Sequence, residues 1–155
     1  STTVKPDKYD SIVLYGLEAG KYRLALKTPK DQIINVEYTR DKSKKKAAYK
    51  KSKAINLKSD IDSIYTSTEK AARWYKVSVS STKKRKAVTL SKDSVGGGFK
   101  FRVYQKGKRL KTVRVTKNDK VKTVKLPKKK GTYYVKVTKL TSKTTGAYYL
   151  GTYTY

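Results

Sequence analysis

Period-two alternation of apolar and polar residues dominates the chain. Phe99, Phe101 and Val103 share one parity; Lys100, Arg102 and Tyr104 share the other. Tyr75, Val77 and Val79 alternate with Lys76 and Ser78, and Tyr133, Val135 and Val137 alternate with Tyr134 and Lys136. Val121, Val124 and Leu126 mark a further, less regular strand. Such alternation belongs to a half-buried antiparallel sheet, here with one apolar and one basic face. It predicts strands over 11–16, 21–27, 32–39, 54–57, 74–80, 86–91, 99–105, 109–115, 121–126, 132–139 and 146–154. Turn signals separate them: Gln105-Lys106-Gly107-Lys108 reads as a hairpin turn, and Gly131 and the Gly96-Gly97-Gly98 run precede strands. Short strands at this even spacing predict an all-β fold, an antiparallel β-sandwich of jelly-roll-like type.

One stretch, 40–72, breaks the pattern. Residues 42–51 are rich in Lys and Ala, so 40–52 is expected to be an exposed basic loop. Glu69, Lys70, Ala71 and Ala72 are good helix formers, and a short helix is expected near 68–73. There is also an internal echo. Val13, Gly20, Tyr22, Leu24 and Leu26 recur at the spacing of Val124, Gly131, Tyr133, Val135 and Val137. Each block is followed by another alternating strand, which is either a repeated strand–Gly-turn–strand unit or the general likeness of two hairpins.

Composition sharpens this picture. The 155 residues suffice for one good-sized domain with its own core. Forty Lys plus Arg face eleven Asp plus Glu, a formal charge of +29. Self-repulsion on that scale opposes compaction, so a polyanionic partner is expected: nucleic acid, anionic lipid or an acidic cell-wall polymer. The competing reading is a solvated surface kept for solubility. Charge alone would favour disorder, but fourteen Tyr, two Phe and one Trp set in alternating patterns argue for a folded chain. No apolar run reaches the roughly 20 residues of a membrane helix. The chain starts Ser1-Thr2-Thr3 and has no Met, as expected of a processed mature protein or a trimmed one.

Four stretches bear a family likeness. They are Arg73-Trp74-Tyr75-Lys76-Val77-Ser78-Val79, Lys86-Ala87-Val88-Thr89-Leu90-Ser91, Phe99 to Val115, and Leu126 followed by Gly131-Thr132-Tyr133-Tyr134-Val135-Lys136-Val137 and Gly146-Ala147-Tyr148-Tyr149-Leu150. With these, the chain from residue 54 onward resembles the bacterial pre-peptidase C-terminal (PPC) domain, a β-sandwich attached to many secreted peptidases. The resemblance implies a secreted or cell-surface-associated bacterial protein. It also implies a PPC-like sandwich over 41–155, carrying the basic 40–52 loop. Residues 10–39 resemble the closing strands of such a domain, so 1–40 are expected to form a β-hairpin extension. The family's Asp-rich turns, some of which bind calcium, are replaced here by Lys83-Lys84-Arg85-Lys86 and Lys128-Lys129-Lys130, which argues against calcium.

Catalysis finds little support. Without His or Cys the usual general base and thiol nucleophile are missing. The closest acid pairs, Asp60 with Asp62 and Asp7 with Asp10, lie in polar stretches. Gly96-Gly97-Gly98 lacks the Lys-Ser/Thr of a phosphate loop and reads as a flexible turn. Neither a catalytic residue, a metal site nor a cofactor is therefore expected. The basic residues carry the stronger signal. Lys44, Lys45, Lys46, Lys50 and Lys51 cluster in one loop, and Lys83, Lys84, Arg85 and Lys86 in another. Lys100, Arg102, Lys106, Lys108 and Arg109 line a hairpin, where Lys100 and Arg102 project with Tyr104; Tyr134 and Lys136 do the same on their own strand. Trp74 is either an exposed platform or a residue that covers the core edge or packs under the 40–72 loop. Tyr149, Tyr153 and Tyr155 form either an outer Tyr ladder or packing pairs.

Interleaved aromatics and cations suit both sugar rings and bases. The expected function is a secreted, non-catalytic module binding an anionic envelope or matrix polymer, teichoic acid or acidic polysaccharide. A predominance of Lys favours a diffuse polyanion over bidentate reading. The alternatives are binding of nucleic acid such as extracellular DNA, and a protein-interaction or assembly role beside a secreted peptidase.

Overall fold

The computed structural model describes residues 21, 23, 47–57, 61–65, 71–116 and 118–155, with backbone alone for 61–65, 93–96 and 145. Among the described residues nine strands follow one another: β1 (Ile55–Asn56), β2 (Ile61–Tyr65), β3 (Arg73–Val79), β4 (Lys86–Gly96), β5 (Phe99–Gln105), β6 (Lys108–Val115), β7 (Val121–Lys125), β8 (Gly131–Lys139) and β9 (Thr145–Thr154). They form two sheets: sheet A in the order β1-β3-β8-β5-β6, and sheet B in the order β2-β9-β4-β7. All pairings are antiparallel except that of β1 with β3. This is the all-β sandwich that the alternation predicts.

The apolar parity of each strand fills the space between the sheets. Tyr75 and Val77 from β3, Phe99, Phe101 and Val103 from β5, and Tyr133, Val135 and Val137 from β8 meet Val88, Leu90, Tyr148 and Leu150 of sheet B, all sealed from solvent. Each such side chain contributes about 1.5–3 kcal/mol by burial. The hydroxyls of Tyr75 and Tyr148 hydrogen-bond across the core, so that each sheet gives one partner to a buried polar link. Their rings meet edge to face at 6.5 Å, and Phe99 packs on Tyr148 at 5.0 Å. Tyr133 sends its hydroxyl to the carbonyl of Lys129 (2.9 Å), tying the β7–β8 loop to the core. Burial pushes the Tyr133 phenol up from its ordinary pKa.

Three connections show why these elements stop where they do. Lys106 (φ 47°) and Gly107 (φ 79°) make the two-residue β5–β6 turn, whose positive φ at both positions matches strand twist. The Gly96-Gly97-Gly98 run is a close-packed corner, not a flexible turn. A Cβ on Gly98 would stand 2.0 Å from the Val115 carbonyl oxygen, and one on Gly97 would stand 2.3 Å from the Thr144 hydroxyl. The expected helix near 68–73 does not reach its end: Ala71 and Ala72 are non-helical, and Arg73 already pairs with Val137. Helix propensity yields there to a complete ladder with β8. Two strand expectations also change. β4 runs on to Gly96, and β2 arises where no strand was expected, held by its ladder to β9. The expected strands over 11–16 and 32–39 lie outside the described residues, as does 21–27 apart from Lys21 and Arg23, neither of which is in a strand.

Candidate functional site

The polar parity of sheet A forms a continuous outer face. Register lays three rows across β3, β8, β5 and β6: Trp74–Lys136–Arg102–Thr112, Lys76–Tyr134–Tyr104–Arg109 and, on the last three strands, Thr138–Lys100–Arg114. With neighbouring strands ~4.8 Å apart and successive rows roughly 7 Å apart, this is a tight grid of rings and cations. The five strands of sheet A carry Arg73, Lys76, Lys100, Arg102, Lys108, Arg109, Lys111, Arg114, Lys136 and Lys139 and no Asp or Glu. The strands of sheet B carry four Lys (86, 92, 122 and 125) against Asp62 and Asp93. Among the described strands, the excess charge thus lies on sheet A.

The rings of the grid are assembled by contact. Trp74 and Tyr104 meet over the intervening β8, with centroids 5.7 Å apart and planes tilted by 42°. Lys136 places its ammonium 5.2 Å from the Trp74 ring centre. The segment before β1 adds a cation from outside the sheet. Trp74 N donates to the Ala48 carbonyl (2.8 Å), Lys51–Lys53 make one 3-10 turn, and the Lys51 ammonium lies 4.7 Å from the Tyr134 ring centre. Such contacts hold the side chains in place at about 0.5–1 kcal/mol each. Trp74 is half-buried in this cluster: it belongs to the outer face and not to the core.

Electrostatics mark the same surface. The Arg102 guanidinium, then desolvation, then Arg114 hold the Lys100 ammonium below its ordinary pKa. No carboxylate stands in the rows to relieve this repulsion. The well-placed acid Asp119 sits at the other end of β6, paired with Lys122 (2.7 Å) and bonded by the Thr116 amide and hydroxyl; Lys122 first, then Thr116, holds its carboxyl far below the usual range. Among the described residues no three acidic side chains gather into a metal-binding group.

The sequence-predicted residues fall into two adjoining sets. Trp74, Lys100, Arg102, Tyr104, Arg109, Tyr134 and Lys136 share the outer face of sheet A. Lys83, Lys84 and Arg85 in the β3–β4 loop, and Lys106 and Lys108 at the β5–β6 turn, crown one end of the sandwich. Lys86 opens β4 and spans back to sheet A, its ammonium donating to the Ser78 carbonyl (2.8 Å). Lys44, Lys45 and Lys46 lie outside the described residues. Sequence reasoning left out Lys76 and Arg114, although the same alternation marks both. It also left Lys128, Lys129 and Lys130 out of the site; these sit at the charged end with the other turns. Lys51 was legible only as a member of the basic loop; its place over Tyr134 depends on how the chain enters the sheet.

These observations define a two-sheet antiparallel sandwich with one cationic, aromatic outer face. No protein-family model matches the chain, and no curated protein matches it. Among solved structures, the chain is similar to the pre-peptidase C-terminal domain of a collagenase from Bacillus anthracis, at 17% identity and a TM-score of 0.49, over 64% of this chain and 92% of that one. It is also similar to a family 35 carbohydrate-binding module from an environmental isolate, at 17% identity and a TM-score of 0.39, over 58% of this chain and 75% of that one. The likeness is one of fold.

Proposed function

We propose that this domain is a non-catalytic binding module of the bacterial cell exterior that holds an anionic polymer on the outer face of sheet A. One observation carries the proposal: the outer rows present six cations (Lys76, Lys100, Arg102, Arg109, Arg114 and Lys136) and three rings with no carboxylate between them. Cations crowded as Arg102 and Arg114 crowd Lys100 gain from a ligand that supplies negative charge. Rows roughly 7 Å apart suit an extended chain with charges at short intervals. Trp74, Tyr104 and Tyr134 add faces on which ring-bearing repeat units stack. Teichoic acid or an acidic polysaccharide meets both demands. The basic turns with Lys83, Lys84, Arg85, Lys106 and Lys108 extend the track around one end.

The test is retention on purified cell wall before and after its teichoic acid is stripped, at several salt concentrations. Retention should fall sharply on stripped wall and at high salt; equal retention on both walls defeats the ligand class. The tilted Trp74–Tyr104 pair also suits a nucleobase, which favours a second reading, single-stranded nucleic acid. Competition with oligonucleotides of equal charge separates the two.

A further inference from the structure

The outer face of sheet B differs in kind from that of sheet A. Strand β9 sends Tyr149 and Tyr153 outward, 40% and 48% exposed, with Gly151 between them. Across the ladder stand Ser91, Thr89 and, one strand further, Thr123. Together they line a trough of about 350 Å³, at the lower end of the range for small-ligand sites. Its lining holds no Lys, Arg, Asp or Glu in a chain of formal charge +29. The Thr89 and Thr123 hydroxyls hydrogen-bond to each other (3.1 Å) and so form a fixed polar wall.

Gly151 is the telling residue. It is not among the glycines with positive φ, so its backbone does not require glycine. A glycine inside a strand weakens it by roughly 0.5–1 kcal/mol, and one that no turn demands marks a place where something approaches the backbone closely. Here it opens the floor between two rings standing ~13 Å apart along the strand. Two aromatic faces, a bare backbone floor and a rim of hydroxyls, all uncharged, match a polyhydroxylated, uncharged ring and repel neither face of it.

We infer that this trough is a second binding site, for a neutral saccharide, on the side of the sandwich opposite the polyanion face. It stands on its own observations and does not depend on the proposed function of sheet A. The experiment titrates the full chain with neutral hexasaccharides of β1,4-linked glucose and of β1,4-linked N-acetylglucosamine, followed by NMR shifts and Tyr fluorescence. At least one should bind with shifts centred on Tyr149, Gly151 and Tyr153, and with affinity unchanged between low and high salt. Gly151→Val, at a position without positive φ, puts a branched side chain on the floor and should lower affinity at least tenfold. Tyr153→Ala should lower it about tenfold, and Tyr153→Phe, which keeps the ring, by far less. Arg102→Gln on sheet A should leave it unchanged, which separates failure here from failure of the polyanion reading. Near-UV circular dichroism checks that each variant is folded. The inference is overturned if neither sugar binds at millimolar concentration, if folded Gly151→Val binds as well as the parent, or if the shifts at Tyr149 and Tyr153 follow protein concentration, as for a second copy seated there.

Discussion

Replacing Arg102 by Gln removes the charge that acts most strongly on Lys100 and that also faces Lys136 directly across the ladder. Like charges opposed on neighbouring strands destabilise by roughly 0.2–1 kcal/mol per pair. The side chains are half-exposed, so screening keeps the gain near the lower part of that range, about 0.5 kcal/mol. For a chain of this length that is a rise in Tm of roughly 1–2 °C. Calorimetry at 10 mM salt should detect it, and it should vanish near 1 M, where the Debye length is about 3 Å. The Lys100 ammonium, followed by NMR, should titrate closer to its ordinary value in the variant. The linkage has a definite sign: in the parent, the folded state releases the Lys100 proton more readily than the unfolded one. The penalty is therefore present below the depressed folded pKa and fades as pH rises through it, so the advantage of the variant should shrink on the alkaline side. Binding should move the other way. Losing one cation should flatten the slope of log K against log salt by about 0.7 for a flexible polyanion. A Tm that falls at low salt, or a slope that stays put, refutes the claim that this face sacrifices stability for charge.

Two further predictions concern the scaffold. Tyr75→Phe and Tyr148→Phe should each cost about 1–2 kcal/mol in urea denaturation, and the double variant less than their sum, since each single change removes one half of a buried pair. Additive losses would mean that the two hydroxyls do not act together. Gly98→Ala should destabilise by roughly 1–3 kcal/mol because its Cβ would strike the Val115 carbonyl, whereas Gly107→Asn, in open space at φ 79°, should change Tm little; equal effects would contradict the packed corner.

Much of this sandwich could be read from sequence because a strand half-buried in a sheet writes its orientation into alternate residues. β3, β5 and β8 show it plainly: Tyr75, Phe101 and Val135 inward, Trp74, Arg102 and Lys136 outward. The sequence Ile61-Asp62-Ser63-Ile64-Tyr65 shows it poorly, and β2 was missed because its pairing with β9, not its own pattern, makes it a strand. The site was legible one strand at a time. That Trp74 reaches Tyr104 over β8 depends on a register between residues 30 positions apart, and no local pattern encodes that. Likewise the trough of sheet B needs β4, β7 and β9 side by side before Tyr149, Gly151 and Thr123 mean anything together.

The uneven division of charge between the strands of the two sheets, together with the basic turns at one end, gives the described sandwich an electrical dipole tilted from sheet A toward that end. Near a flat negative surface such a particle feels a torque before it touches, one that turns sheet A and the basic end toward the surface and sheet B toward the medium. Adsorption would then be oriented rather than random, and every copy in a layer would display the same uncharged tyrosines outward.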